Sequence, residues 1–356
     1  MNLFGKKYSR KQLHERVGNI QQIGGARRVI LDDGSSKGVS AIDVNTGAGL
    51  FFTVLPDRGL DISRATYKGI NLVHLTANSV THPAYYDAIG EGWLRSFYGG
   101  LVVTCGLTSF GPSVKDDSEE LGLHGRYANT PARQVQDRSG WDGEKYRVEI
   151  AGIIEDSVLY GNKLRLTRKI STELGSKTIN INDKVENFGF KPSPFCILYH
   201  INPGFPLLDA GTELFVSATK TEPRDADAKK GLKEWNKFSK PIHGFPSQVF
   251  FHKMKACQDG KACAALINSQ LGDGIGLCVQ FDPKELPVLN EWKNMQLGDY
   301  ALGIDPANAP VLSRVELREK GLLQTLDPGE VRDITIEISI LDGEKEIGKC
   351  IKKCGI

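Results

Sequence analysis

Two histidines and one carboxylate stand in Gly/Pro-punctuated segments that are far apart along the chain. His124 lies in Leu123-His124-Gly125-Arg126, His200 in Tyr199-His200-Ile201-Asn202-Pro203-Gly204, and Asp305 in Gly303-Ile304-Asp305-Pro306. Imidazole titrates near neutrality and is the side chain best able to lend a proton and recover it, and a carboxylate is its natural complement. Together the three predict one pocket for acid/base chemistry on a small ligand. Taken singly, each also fits a structural role: His200 as a satisfied core histidine, Asp305 as a turn carboxylate.

The surrounding residues suit a sugar. Trp93, Phe97 and Tyr98 could stack on the apolar face of a ring, and Gly99-Gly100 would let the backbone approach it. A strand kink beside core aromatics accounts for the same residues. Arg58, in Asp57-Arg58-Gly59-Leu60-Asp61, either reaches a substrate or closes a turn through an Asp–Arg pair. Arg95 and Arg126 flank the glycine-rich run and His124. With Arg58 and Arg224 they leave an anionic group on the ligand open.

The elements that position these residues read as strands. Val39–Val44, Leu50–Leu55 and Gly59–Thr66 are short apolar or alternating runs separated by turn signals at Asn45–Gly49 and Pro56–Gly59. Tyr146, Val148 and Ile150 alternate, as do Leu164 and Leu166 beyond a Gly161-Asn162 turn, then Ile179 and Ile181, and finally Ile334, Ile336, Ile338 and Ile340. A period of two with one apolar face predicts antiparallel sheets packed face to face. Ser9–Gly18 reads as a short N-terminal helix and surface appendage, with a serine cap and a glycine stop. No strand-helix-strand rhythm follows it, which argues against a parallel α/β sheet. Lys220–Pro246 is polar and long for a bland connection; its Trp235, Phe238 and Phe245 predict an ordered flap.

Composition narrows the function classes. The 45 lysines and arginines nearly balance 43 aspartates and glutamates, so no net field marks the chain for nucleic acid or an anionic membrane. At 356 residues and 40% hydrophobic, it can bury a sizeable core, and no composition shift divides it. We read residues 1–356 as a single β-sandwich domain, with 1–25 an N-terminal helical extension and 343–356 a C-terminal tail. The start turns charged before any apolar core of a leader, which predicts a cytoplasmic protein. Seven cysteines at irregular spacings suit reduced thiols better than a disulfide framework. Cys350 and Cys354 share a face if the tail is helical and could clip a metal, although no second Cys/His pair stands near them in sequence.

The blocks GGLVVTCGL, LHGRYANTPA, YHINPGFPLL and YALGIDPAN, followed by Leu326-Asp327-Pro328-Gly329-Glu330 before the last strand, resemble the aldose 1-epimerase (galactose mutarotase) family. Within it they are most similar to an uncharacterised bacterial epimerase-like branch. The resemblance spans roughly residues 50–341. It implies an all-β fold, an antiparallel β-supersandwich of galactose mutarotase-like type with the short N-terminal helix. It also implies an isomerase that interconverts α and β anomers of an aldose by acid/base ring opening, without cofactor or metal. By the family pattern His200 falls on the general acid, Asp305 on the base and His124 on the histidine that binds the sugar and its ring oxygen. Arg126 and Arg95 compete for an arginine that binds hydroxyls, and Arg58, His252 and Trp292 recur at motif positions that could meet substrate.

Two departures stand out. Tyr199-His200 replaces the usual Asn-His, and Asp305 replaces a glutamate, which shortens the arm by roughly 1.5 Å. A non-catalytic sugar-binding or regulatory protein on the same fold is the alternative function, and a metal enzyme using His124, His200 and Asp305 is a third. The expected partner in each case is a small molecule rather than a nucleic acid or a membrane, and a homodimer is compatible with the chain.

Overall fold

The alternating patterns become antiparallel sheets in the computed structural model, which describes residues 1–355. A five-stranded sheet runs in sequence order from Gly25–Ile30 through Ser40–Asn45, Leu50–Leu55 and Asp61–Tyr67 to Ile70–Asn71. A nine-stranded sheet is built on the long strands Lys145–Ser157, Lys163–Glu173, Thr178–Asn187 and Val331–Asp342, and continues through Ile275–Phe281, Ala262–Asn268 and Glu213–Val216. A seven-stranded sheet places Ala218–Pro223, Gln248–Met254, Val288–Asn294, Ala301–Ala307 and Ser193–His200 side by side, with Val103–Leu107 also paired to the last of these. One buried apolar cluster takes Phe52 and Ile62 from the first sheet, Ile181 and Ile336 from the second, and Tyr199 and Ile304 from the third. The fold is an all-β supersandwich.

Local chemistry explains the helices. Ser9 caps Arg10–His14 with a complete capping box, its hydroxyl accepting from the Gln12 amide while the Gln12 side chain accepts from the Ser9 amide. The helix stops at His14, four residues before Gly18. It is docked rather than a loose appendage, because Leu13 is buried with Leu3, Ile23 and Leu174. The Lys220–Pro246 excursion is ordered. Asp225 caps a short helix at Ala226–Gly231, Phe238 is buried, and the Lys293 ammonium donates to the carbonyls of Glu234 and Lys237 at 2.7 and 2.6 Å.

The tail forms a helix at Glu344–Cys354, closed by Gly355 in the left-handed conformation. Its docking corrects the expectation of free thiols throughout, since Cys263 and Cys354 are joined as a disulfide. Sequence spacing carries no information about a contact between residues 91 apart. Among the described residues no helix is long and apolar enough to cross a membrane.

The three sheets meet at a buried guanidinium. Arg168, from the nine-stranded sheet, donates to Asp183 at 2.9 and 2.6 Å, to Asp61 of the five-stranded sheet at 2.7 Å, and to the Thr104 hydroxyl of the seven-stranded sheet at 2.9 Å. Thr104 in turn donates from its amide and hydroxyl to Asp61, and the Tyr199 hydroxyl donates to Asp183 at 2.7 Å. Every member is satisfied, the condition under which buried charge is tolerated. Arg168→Met should destabilise the fold by about 3–5 kcal/mol, because Asp61 and Asp183 would keep their burial and lose their cation. Equilibrium urea unfolding measures this, and a loss under about 1 kcal/mol would show that the hub does not hold the sheets.

Candidate functional site

The seven-stranded sheet sorts its side chains by the period of two. In register, Trp292 faces Val249 and Gly303, Asn290 faces Phe251 and Asp305, Leu198 faces Ala307, and His200 faces Val103. All of these lie on one face of the sheet. The opposite face carries Tyr199, Leu289, Glu291, His252 and Ile304 toward the core. Above the first face, the turn at Gly92–Arg95 and the segment after it bring Trp93 and Phe97, and the loop ending at Gly125 brings His124.

The result is a cavity of about 220 Å³ lined by Trp93, Phe97, His124, His200, Trp292 and Asp305, with Leu94, Arg224, Ser247, Val249, Asn290 and Val311 completing the wall. That is below the about 300–1,000 Å³ of pockets for drug-sized ligands, and suits a ligand near the size of one sugar ring. The rings form a connected wall: Trp93 stacks on Phe97 at 4.6 Å and tilts against His124 at 4.6 Å, and His200 lies 5.3 Å from Phe97, 5.5 Å from Trp292 and 5.8 Å from His124. A larger groove of about 620 Å³ runs beside the edge strand Gly25–Ile30. It contains no histidine, and its carboxylate Asp57 already accepts from the Ser40 amide.

His200 Nδ1 lies 3.4 Å from Asp305 Oδ1, too poorly aligned for a hydrogen bond, and has no other partner. Asp305 Oδ1 accepts from the Ile201 amide at 3.1 Å. His124 also presents a buried Nδ1 without a partner. Orphaned buried polar atoms are costly and concentrate where a ligand is to be met. Burial sets the protonation of all three residues. It lowers His200 to about 4 and His124 to about 3, the latter helped by His200 and Arg224. It pushes the Asp305 carboxyl well above the ordinary carboxylate range, which the Ile201 amide only partly opposes.

The structure thus brings His124, His200, Asp305 and Trp292 together. The other sequence candidates lie elsewhere. Arg58 is buried, with its guanidinium donating to the carbonyls of Ala128, Thr81 and Ser96 at 2.6, 2.7 and 3.0 Å. It clasps the segments that carry His124 and Trp93 instead of touching the cavity. Arg95 and Arg126 are exposed and outside the lining; Arg126 lies over the Tyr86 ring.

His252 is on the wrong parity. It is buried on the core face, 3.0 Å from Glu291 Oε2, with Thr221 on its other nitrogen and Trp235 against its ring. Gly99-Gly100 also serves packing, since a side chain at Gly99 would collide with the His74 carbonyl. Arg224, read only as one of four arginines open to an anionic group, is the arginine that lines the cavity among the described residues. Asn290 and Ser247 were missed; the alternation placing Asn290 beside Trp292 was the available signal. The donor atoms of His124, His200 and Asp305 do not converge as a metal set. Among the described residues the group that does is Cys263, Cys350 and Cys354.

Solved structures place this architecture. A candidate aldose 1-epimerase from Klebsiella pneumoniae superposes with a TM-score of 0.87 at 25% identity, covering 96% of this chain and 93% of that one. A galactose mutarotase-like protein from Clostridium acetobutylicum gives a TM-score of 0.64 at 17% identity, over 90% and 99% of the two chains. A galactose 1-epimerase from Lactobacillus acidophilus gives 0.57 at 14%, over 90% and 100%. The fold is therefore that of the galactose mutarotase-like β-supersandwich. No curated protein matches the sequence. The chain belongs to the family described as "Domain of unknown function (DUF4432)", which it matches over residues 36–340.

His252→Ala should cost about 3 kcal/mol by leaving Glu291 buried and unpaired, whereas Trp292→Ala should weaken ligand binding with a smaller loss of stability. Urea unfolding of both variants beside titration with small-molecule ligands, free aldoses among them, checks this division. Equal losses in both assays for both variants would contradict it.

Proposed function

We propose that the protein interconverts the α and β anomers of a free aldose or aldose derivative. The observation that carries the reading is the side-by-side placement of His200 and Asp305 at the buried floor of an aromatic-lined pocket. The two oxygens on an anomeric carbon are geminal, so an acid and a base lining one small pocket can serve both. One group takes the proton from the anomeric hydroxyl while the other protonates the ring oxygen, and the carbon–oxygen bond of the ring breaks. The aldehyde then rotates about its C1–C2 bond, and reversed transfers close the other anomer. Atoms balance without a cofactor.

Burial gives this pair a particular form. A neutral imidazole beside a protonated carboxyl holds the same single proton as an imidazolium beside a carboxylate. Burial of both side chains favours the neutral pair at rest, and either tautomer has one donor and one acceptor. His124 extends the polar edge toward the ring oxygen, and Trp93, Phe97 and Trp292 take the apolar ring face. Arg224 sets a cation at the wall for a substrate with an acidic substituent, tempered by its 3.1 Å contact with Asp225. The aspartate in place of glutamate is met by a strand register that puts Asp305 directly against His200.

Polarimetry or exchange NMR over a panel of free aldoses tests the activity. His200→Ala and Asp305→Asn should each lower kcat/KM by about 10²–10⁴ while circular dichroism stays unchanged. A His200→Ala variant that equilibrates anomers at the wild-type rate sinks the assignment, and saturable sugar binding without exchange points to a binding protein. The pH profile carries a sharper test. The one-proton pair is lost on the acid side when His200 also protonates, at about 4, and on the alkaline side when Asp305 deprotonates, well above the usual carboxylate range. Activity should therefore persist below the ordinary histidine range of about 6.5 and fall near pH 4. An acid limb at the ordinary histidine value would refute the desolvated pair.

A further inference from the structure

Far from the sugar-sized cavity, cysteines converge under the C-terminal helix. Cys263 and Cys278 stand on adjacent strands, Ala262–Asn268 and Ile275–Phe281, whose register pairs Cys263 with Gln280 and Ala265 with Cys278. They are diagonal neighbours on one sheet face. Cys350 and Cys354 are four residues apart on the helix Glu344–Cys354 and so share the face turned to that sheet. The sulfurs of Cys263 and Cys278 are 3.6 Å apart, those of Cys278 and Cys350 3.4 Å, and those of Cys350 and Cys354 4.0 Å.

A disulfide between Cys263 and Cys354 uses two of the four and leaves Cys278 and Cys350 as free thiols in sulfur contact with it. A tetrahedral zinc–thiolate centre, with zinc–sulfur bonds of about 2.3 Å, has sulfur–sulfur edges of about 3.8 Å, and these three non-bonded contacts bracket that length. The Cys263–Cys354 pair must open from its bond, and Cys278, outside the trio Cys263, Cys350 and Cys354 whose sulfurs all lie within 4.8 Å of one another, must close on Cys354. The disulfide and a four-sulfur centre are mutually exclusive states of the same residues.

We propose that in the reduced chain Cys263, Cys278, Cys350 and Cys354 form a tetrathiolate zinc site that fastens the C-terminal helix to the nine-stranded sheet. The helix needs a fastener. Its eleven residues are too few to be stable alone, and its buried apolar contact besides the cysteines is Ile347, with Ile351 half-covered. A cation stands beside the cluster: the Lys353 ammonium, next in sequence to Cys354, is held by Asp259 at 2.7 Å and Gln280 at 3.3 Å. Soft thiolates in tetrahedral arrangement select zinc over the hard divalent cations. Cys257 stays outside the set, because its thiol donates to the Cys354 carbonyl at 3.3 Å.

The test is elemental analysis of the full chain purified under reducing conditions and incubated with zinc. About one zinc per chain is expected, as one tetrathiolate centre requires. It should fall to background in a Cys278→Ser/Cys350→Ser double variant and be retained in Cys257→Ser. Should the double variant fail to fold, cobalt loading of the wild-type chain gives an independent reading, as a tetrahedral thiolate site produces sulfur-to-cobalt charge transfer and an intense visible band. Zinc and cobalt both at background in the reduced wild type would overturn the site. So would zinc unaltered by the double substitution, or alkylation in denaturant that finds Cys263 and Cys354 linked in the reduced preparation.

Discussion

The structure depends on one buried cation. Arg168 is the point at which three sheets share charge, and the residues it holds come from segments as distant as Asp61, Thr104, Asp183 and Tyr199. Apolar packing alone allows sheets to slide, since it is not directional. A guanidinium with its donors aimed at two carboxylates and a hydroxyl permits one arrangement. Thr104 and Tyr199 are immediate neighbours, in the paired strands, of Val103 and His200. The hub therefore fixes the strand pair that carries His200 from beneath while leaving the opposite face free for a ligand.

This accounts for a residue that was out of place in the sequence. Tyr199 stands where the related pattern has asparagine, and alternation along the strand turns it away from His200 into the hub. Its hydroxyl belongs to the Asp183 carboxylate and not to the site. Arg58 has a similar explanation. Its motif, Asp57 to Asp61, forms a knot: Asp61 enters the hub, the Gly59 carbonyl accepts from Tyr127, and Arg58 ties three carbonyls flanking the pocket walls. Both residues act on the pocket through the elements they hold.

The protonation of the pocket is set by burial. Trp93, Phe97 and Trp292 pack beside two imidazoles and a carboxyl, and burial of these groups disfavours every charged form. Two groups that each resist charging hold one donor and one acceptor side by side, the form in which the pair meets a small ligand. The orphaned nitrogens of His124 and His200 are the cost of holding this arrangement ready. They mark the place where a ligand's polar groups would restore the missing hydrogen bonds.

Much of this was legible in the chain itself. Alternation marked Val331–Leu341 as a strand because one buried face imposes a period of two, while Leu50–Leu55 was legible as a short apolar run, buried at all but one position. Gly/Pro punctuation marked the end of the His200 strand, but it misled at Asp305, which lies within Ala301–Ala307 and is no turn carboxylate, while His124 sits in a loop; the motif blocks tied the three to one pocket. Parity between strands was not legible. His252 and Trp292 looked alike by motif, yet cross-strand register sends Trp292 to the cavity and His252 to the core. Nor could spacing distinguish Arg224, carried in by an ordered excursion, from Arg58, Arg95 and Arg126, or show that cysteines of the tail would meet those of two inner strands. Pattern along a chain reports which face of its own element a residue occupies. Which element lies opposite is decided by long-range pairing, and that pairing exists only once the sheets have closed on each other.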